Sequence, residues 1–228
     1  MEYFAQQTMN ALAFGAEYAL IALGLAIVFS IMGLVNFAHG EMIAVGGYTM
    51  VAFGALLIGN PLIVIGGAVL AATLASVTLE RVAFRPVRYA DPTTGLLTAF
   101  GVSMILQNLF LLLVSPRPIA VTSLYFLDWP VDLFGVRVSS LQLFEAATTV
   151  LVIVGLMLFL RRTTLGLAMR AASLDFEMVR LVGIRANRVF AMAFMVSGLL
   201  AGLACVFIMA RRGSVDPHLG FNPVLKAF

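Results

Sequence analysis

The chain has 228 residues, of which 62% are hydrophobic and only 11% are charged. A soluble domain carries about a quarter charged residues, so this composition excludes an ordinary soluble protein and predicts a lipid environment. The net charge of +3 comes from scattered arginines and one lysine, without the basic run expected of a nucleic-acid-binding protein. One cysteine and two widely separated histidines give neither a disulfide nor a metal-ligand spacing. We therefore expect no cofactor and no metal.

Six apolar runs approach the roughly 20 residues that a helix needs to cross about 30 Å of hydrocarbon. The runs are continuous rather than alternating, which favours helices over barrel strands, and their many glycines indicate close helix packing. The first run is expected to remain as an anchor, because residues 1–10 lack the basic start of a cleavable signal peptide. These features predict an all-α, polytopic transmembrane helix bundle that forms a single domain over residues 1–228. Its predicted spans are 11–34, 42–58, 62–79, 95–114, 143–160 and 189–210.

The arginines indicate how the bundle is oriented. Nine of them lie in two stretches, 80–92 and 161–188, and two predicted spans separate these stretches. Because short cytoplasmic loops accumulate Lys and Arg, both stretches are predicted to be cytoplasmic. The turn at 36–41 then lies inside, and the N-terminus and the loop 115–142 lie outside.

The outward loop contains aromatic residues that are typical of an interfacial belt, and these are Tyr125, Phe126, Trp129 and Phe134. Arg211 and Arg212 would lie at the outer end of the sixth span, against the charge rule. Glu17 and Glu145 are expected near helix ends, where a carboxylate can reach solvent.

A polar segment separates the first two spans with almost no loop. This segment places the amide of Asn36, the imidazole of His39 and the carboxylate of Glu41 between two apolar runs, together with Phe37 and Gly40. One interpretation is a tight cytoplasmic turn, with Asn36 as a cap, Gly40 as the turning residue and Glu41 in the first turn of the next helix. The other is a helix break that lines a translocation pathway. The residues alone leave both open.

The stretch 161–188 predicts a short amphipathic helix. Its apolar stripe is formed by Met169, Ala172, Phe176, Val179 and Gly183, and charged residues such as Arg170 lie on other faces. The best signalled part runs over 176–182, where Asp175 can cap the helix and Gly183 can end it. The helix either lies on the lipid surface or docks into a groove of a cytoplasmic partner. The arginines of 81–88 are expected chiefly to contact lipid phosphates.

Catalytic signatures are missing from the sequence. The single lysine, Lys226, follows Leu225, so the Gly-Lys-Ser/Thr end of a phosphate-binding loop does not occur. The sequence also lacks paired zinc-binding histidines on a helix, a Gly-x-Ser-x-Gly elbow and a Cys-x-x-Cys pair. The chain is therefore not expected to be an enzyme, and any ATP that drives transport must be hydrolysed by another subunit.

Several motifs together resemble branched-chain amino acid ABC transporter permeases. The string Tyr-Ala-Leu-Ile-Ala-Leu-Gly at 18–24 and the string Val-Asn-Phe-Ala-His-Gly-Glu at 35–41 are similar to the N-terminal signature of the family. Residues 80–88 resemble its first cytoplasmic loop, and residues 166–189 resemble its ATPase-facing loop and the following helix. Residues 216–228 match a motif beyond that helix. Phe37 favours the amino-acid branch over the urea permeases, which tend to have methionine there.

The resemblance implies a membrane-spanning permease subunit of a bacterial inner-membrane importer. Its partners would be a second permease subunit, cytoplasmic ABC ATPases and a periplasmic solute-binding protein. Asn36, Phe37, His39, Gly40 and Glu41 would border the translocation path. The ATPase-coupling residues would be Met169, Arg170, Ala172, Asp175, Phe176, Val179 and Gly183. Family members usually continue beyond the Lys-Ala-Phe match with further spans, so the chain is expected to be truncated relative to the family. A second departure is Arg211 and Arg212, where the resemblance leads us to expect uncharged residues.

Three other functions remain open at this stage. A urea, amide or other small-solute ABC permease would share the architecture. A secondary transporter or channel would use an intramembrane carboxylate such as Glu41 for ion coupling. A membrane-embedded enzyme would need polar residues clustered at one depth, and the sequence signals no such cluster.

The predicted topology can be tested by cysteine labelling. A single cysteine introduced at Arg85 or Ser173, with Cys205 replaced, should be protected from a membrane-impermeant maleimide added to the periplasmic side, because both positions lie in the predicted cytoplasmic stretches. Labelling of either position in intact cells would refute the topology.

Overall fold

A computed structural model describes residues 2–56, 60–88, 90–121, 124, 128–133, 136–181 and 183–228. Most of the chain is helical. The helices are α1 (Glu2–Met32), α2 (His39–Ala55), α3 (Pro61–Leu79), α4 (Arg85–Val87), α5 (Pro92–Leu113), α6 (Ser140–Arg162), α7 (Thr164–Leu174), α8 (Phe176–Leu181), α9 (Ala186–Arg212) and α10 (Phe221–Ala227). The strands are β1 (Ile119–Ala120), β2 (Pro130–Leu133), β3 (Val136–Ser139) and β4 (Ser214–Val215).

The predicted spans agree with the helices in most respects. Within the described residues, five helices are long and apolar enough to cross a membrane, and these are Gln6–Met32, Pro61–Val87, Thr93–Leu113, Ser140–Arg162 and Ala186–Arg212. The predicted run 42–58 forms α2, which has 17 residues and is largely buried; positions 57 and 58 of that run lie outside the described residues. The all-α membrane bundle is therefore confirmed, with α2 as a shorter internal helix.

The third span extends further than predicted. Instead of ending at Leu79, the helix continues through a π-helical turn at Glu80–Phe84 and through α4 to Val87. The physical reason is local ion pairing, since buried Glu80 pairs with Arg85 at 3.1 Å and also with Arg88. These pairs bridge successive turns of the extension, and Arg88 also bonds to Asn187 of α9.

Helix α9 forms the centre of the bundle. Its most apolar stretch is 72% buried, and it packs against α1, α2 and α3. Two glycines allow its contact with α3: a Cβ on Gly198 would lie 2.5 Å from Cβ of Ser76, and a Cβ on Gly202 would lie 2.7 Å from Cα of Val69. The close packing predicted from the glycines is confirmed at these positions.

Helices α5 and α6 lie at the periphery, with only 11% of their apolar stretches buried. Strand β1, after α5, pairs antiparallel with β4, after α9, so the C-terminal ends of α5 and α9 lie at the same end of the bundle. Strands β2 and β3 form a hairpin that leads into α6. This end is the predicted outer side. Trp129 is exposed there, whereas Tyr125, Phe126 and Phe134 of the predicted aromatic belt lie outside the described residues.

The α3–α9 contact predicts a stability difference between two glycine-to-alanine variants. Both substitutions gain about 1 kcal/mol of helix propensity, but Gly198→Ala also forces α3 away from α9, whereas a Cβ at Gly155 in α6 meets no atom within 4 Å. Gly198→Ala should unfold at a lower temperature in detergent than the wild type, at a cost of about 1–3 kcal/mol. Gly155→Ala should be unchanged or slightly more stable. Equal melting temperatures for the two variants would contradict the close contact.

Candidate functional site

The break between α1 and α2 is built by its own backbone and by Asn36. Gly33 reverses the chain after α1 in a left-handed conformation, with φ of 69°. The Asn36 side-chain oxygen then accepts the N–H of Ala38 at 3.1 Å, and its carbonyl accepts the N–H of His39 at 3.0 Å. Asn36 therefore caps the turn before α2 rather than α2 itself, whose preceding residue Ala38 makes no side-chain cap.

Gly40 is helical and does not make the turn, in contrast to the sequence interpretation. Its missing side chain instead admits the chain segment before α10: a Cβ on Gly40 would lie 2.4 Å from the carbonyl oxygen of Gly220. Glu41 lies in the first turn of α2, as predicted.

The break leads from the end of α1 into the depth of the bundle. His39 Nδ1 is 2.9 Å from Ser197 Oγ, and Ser197 is 11 residues from the start of α9 and 15 from its end. Glu41 bonds to Ser103, which is 11 residues from the start of α5 and 10 from its end. The predicted placement of this segment at the inside surface is therefore corrected for its last residues: His39 and Glu41 are buried near the midpoints of α9 and α5, whereas Leu34 lies beside Gly95 at the start of α5.

Glu41 forms the centre of a polar network. Its Oε1 accepts hydrogen bonds from Ser103 Oγ and from Gln107 Nε2, both at 2.8 Å. Gln107 Oε1 lies 3.1 Å from Nδ1 of His218. Sequence reasoning missed Ser103, Gln107 and His218. The available signal was the four-residue spacing of Ser103 and Gln107, which puts two polar side chains on one face of an otherwise apolar helix.

Aromatic rings also pack against the break. The Phe37 ring stacks on Phe100 of α5, with centroids 4.3 Å apart, and meets Phe228 edge-on at 6.2 Å. The break and the start of α2 thus contact α5 through an aromatic pair and through the polar network.

A charged cluster joins α1, α6 and α9 at the outer end. Arg211 pairs with Glu145, and its Nη1 lies 2.9 Å from Oε2 of Glu17, without the alignment of a hydrogen bond. The guanidinium also lies 4.3 Å from the centroid of the Phe14 ring. Glu17 and Glu145 are buried, so the expectation that both are solvated is wrong. Arg211 supplies one positive charge between the two carboxylates, which also explains an arginine on the outer side.

At the inner end, the arginines of 81–88 contact protein more than predicted. Arg88 is almost fully buried: it pairs with Glu80, donates to Asn187 Oδ1 at 2.7 Å, and places its guanidinium 3.8 Å from the centroid of the Phe190 ring. Arg81 is exposed. Arg88 therefore joins the inner end of the third span to the start of α9.

The segment 164–183 forms two helices, because Asp175 adopts an extended conformation between them. Asp175 accepts the N–H of Met178 at 3.0 Å and so caps α8, as predicted. Gly183 follows α8 in a left-handed conformation, with φ of 85°, whereas position 182 lies outside the described residues. The caps read from the sequence are thus in place.

The predicted apolar stripe faces the protein's own core. Met169, Ala172 and Val179 are buried, and Phe176 is half-buried against Phe190, with ring centroids 4.9 Å apart. Arg170, Asp175 and Gly183 are exposed. A second apolar surface points away from the bundle, and Leu174, Met178 and Leu181 of this surface are 89%, 58% and 81% exposed.

Comparisons with known proteins identify the family of the chain. The model of the branched-chain amino acid transport system permease component family matches residues 7–228. The chain is 35% identical over 237 residues to the high-affinity branched-chain amino acid transport system permease proteins LivH of Escherichia coli K12, LivH of Salmonella typhimurium LT2 and BraD of Pseudomonas aeruginosa. Each alignment covers 99% of this chain and 77% of the relative.

No solved structure matches the chain significantly. The five apolar helices and these bacterial relatives show a multi-pass protein of the bacterial inner membrane. With a family model matched over nearly its whole length, the chain belongs to the permease components of branched-chain amino acid transport systems.

Proposed function

We propose that this chain is a permease subunit of an ABC importer that moves branched-chain amino acids across the inner membrane. The observation that carries the proposal is the break before α2, after which His39 and Glu41 are buried at the middle of the bundle, with Asn36 buried in the break itself. Broken helices with polar groups at the bilayer midplane are typical of transport pathways. The names of the relatives support the substrate.

The residues bordering the pathway in this proposal are Asn36, Phe37, His39, Gly40 and Glu41. Asn36 keeps the turn, His39 anchors it to α9, and Gly40 lets the segment before α10 approach. Glu41 contributes a carboxylate to the pathway, and Phe37 contributes a ring that stacks on Phe100 beside it. The pathway is completed by a second permease subunit.

Energy comes from cytoplasmic ABC ATPases, which dock on the segment 164–183. Leu174, Met178 and Leu181 provide the exposed apolar contact, together with Arg170 and Asp175. Met169, Ala172, Phe176 and Val179 attach the segment to the bundle, and Gly183 ends it. The proposed coupling therefore uses both faces of the segment.

Movement of this segment reaches α3 through stacked side chains. Phe176 touches the Phe190 ring, Arg88 covers the same ring, and Arg88 pairs with Glu80 of the π-helical turn. A periplasmic solute-binding protein delivers the amino acid at the outer end. The chain itself performs no covalent chemistry in this proposal.

Transport by proteoliposomes tests the proposed function. The permease, reconstituted with its partner subunits, its ATPases and its binding protein, should accumulate radiolabelled leucine when ATP is present on the ATPase side and no ion gradient exists. Uptake should stop when the ATPase carries an inactive Walker B glutamate, and excess urea should not compete. Uptake that needs an ion gradient and ignores ATP would identify a secondary transporter instead.

The docking surface gives a second prediction. The double variant Leu174→Ala, Leu181→Ala should bind the ATPase at least about tenfold more weakly, because each leucine contributes about 1.5–3 kcal/mol when buried. The control is Val82→Ala, Leu97→Ala, which removes similar exposed apolar groups outside this surface. Binding would be measured with the permease in nanodiscs. Equal affinity of the two double variants would exclude the docking surface.

A further inference from the structure

We infer that the face between α2 and α5 binds the substrate itself, as a site for an aliphatic primary ammonium. In this site Glu41 holds the ammonium group, Tyr48 contacts the polar end of the ligand, and an adjoining cavity takes the branched hydrocarbon side chain. The inference rests on the proposed function and adds to it a recognition site within the membrane domain.

A polar stripe runs along the contact between the two helices. Glu41 and Tyr48 are seven residues apart and therefore lie on one face of α2. They meet α5 at corresponding positions: Glu41 accepts from Ser103 and Gln107 at 2.8 Å, and the Tyr48 ring stacks on Phe110 with centroids 4.5 Å apart. The stripe is thus held at both ends by direct contacts.

Two atoms of this stripe have unused bonding capacity. Glu41 Oε2 and Tyr48 Oη are buried and have no hydrogen-bond partner among the described residues. Glu41 is fully buried and Tyr48 is 8% exposed. Buried polar groups are almost always bonded in native proteins, so two such atoms on one helix face indicate a ligand.

The charge of Glu41 also lacks a partner. The ion pairs of the described residues do not include Glu41. His218 interacts electrostatically with Glu41, but its ring bonds to Gln107 and not to the carboxylate. Asp216 is already paired with Arg212 at 2.7 Å. A buried carboxylate needs a cation or a proton. An ammonium group supplies the charge and the donors that the free oxygen accepts.

A nonpolar cavity of about 400 Å³ adjoins the stripe, between α2, α3 and α5. Met42, Val45, Val102 and Leu106 line it. Met42 follows Glu41 directly, and Val102 and Leu106 precede Ser103 and Gln107, so the cavity lies on the faces of α2 and α5 that neighbour the stripe. Val82 and Ile105 of its lining are 71% and 61% exposed, so the cavity opens at the surface of the bundle. Its volume falls within the range of about 300–1,000 Å³ for small-molecule sites.

The Glu41 carboxylate and the nonpolar cavity together favour an aliphatic amine over the alternative solutes. Urea and amides carry no positive charge, so they would leave Glu41 uncompensated, and they have no hydrocarbon to fill the cavity. The outer cluster differs in that it already contains a cation, because Arg211 pairs with Glu145 and lies beside Glu17. Glu145 is therefore a matched control: it is an equally buried membrane glutamate outside the proposed site.

Leucine binding to the permease–ATPase complex in nanodiscs, without the solute-binding protein, tests the site. Wild-type complex should bind radiolabelled leucine, and 3-methylbutylamine should compete, because it keeps the ammonium and the branched chain. Neither 4-methylpentanoate, which lacks the ammonium, nor urea should compete. Competition by the carboxylate analogue and not by the amine would overturn the inference.

Single variants test which residues contact the bound leucine. Glu41→Gln keeps the hydrogen bonds of the carboxyl position but removes its charge, and should weaken leucine binding at least about tenfold. Tyr48→Phe should weaken it a few-fold. Val45→Phe, which fills the cavity, should weaken leucine binding more than alanine binding, and this variant keeps the test valid if Glu41→Gln fails to fold. Glu145→Gln should bind as the wild type does.

Two results separate this inference from the proposed function. A complex that transports leucine with its binding protein but binds none without it, or in which Glu41→Gln and Val45→Phe bind normally, refutes the membrane site alone. A wild-type complex that fails to transport leucine under any of these conditions refutes the proposed function.

Discussion

A helix interrupted inside a bilayer must satisfy its freed backbone groups within the protein, because lipid offers no hydrogen bonds. This constraint governs the centre of the molecule. The turn before α2 is closed by the Asn36 side chain and carbonyl, which accept two backbone N–H groups. His39 then ties the start of α2 to the middle of α9 through Ser197. Without these contacts the buried polar segment could not remain at this depth.

The remaining architecture supports that interrupted helix. Helix α9 supplies a central surface whose glycines bring α3 into backbone contact. Small residues also make room for the break itself: a Cβ on Gly24 of α1 would lie 2.5 Å from Cε1 of His39. Close backbone packing is the main source of helix association where the surroundings are as apolar as the side chains. Polar clusters at the two ends, around Arg211 and around Arg88, add charge-assisted contacts between helices that are distant in sequence.

The sequence predicted those features that depend on neighbouring residues. Run length and hydropathy identified the spans, and the positions of Asp175 and Gly183 identified the ends of α8. Features that depend on distant partners were predicted less well. Burial of Glu17 follows from Arg211, which lies almost 200 residues away. An apolar stripe indicates that a face is buried, but not against what, so Met169 and Val179 could not be assigned to the protein's own core. The depth of the Asn36–Glu41 segment could not be predicted either, since a short connection is compatible with a surface turn or an internal break.

The attachment of α5 has a consequence for local stability. This helix buries little of its surface, and it is joined to the bundle by β1 pairing with β4 at the outer end and by contacts with the π-helical turn and α4 at the inner end. Between these ends, Glu41 and Tyr48 supply specific contacts with it. Elements with few buried apolar contacts open at a lower free energy than the core. Helix α5 is therefore expected to separate locally from the bundle at a lower free energy than α1, α3 and α9, whose mutual packing forms the frame of the molecule.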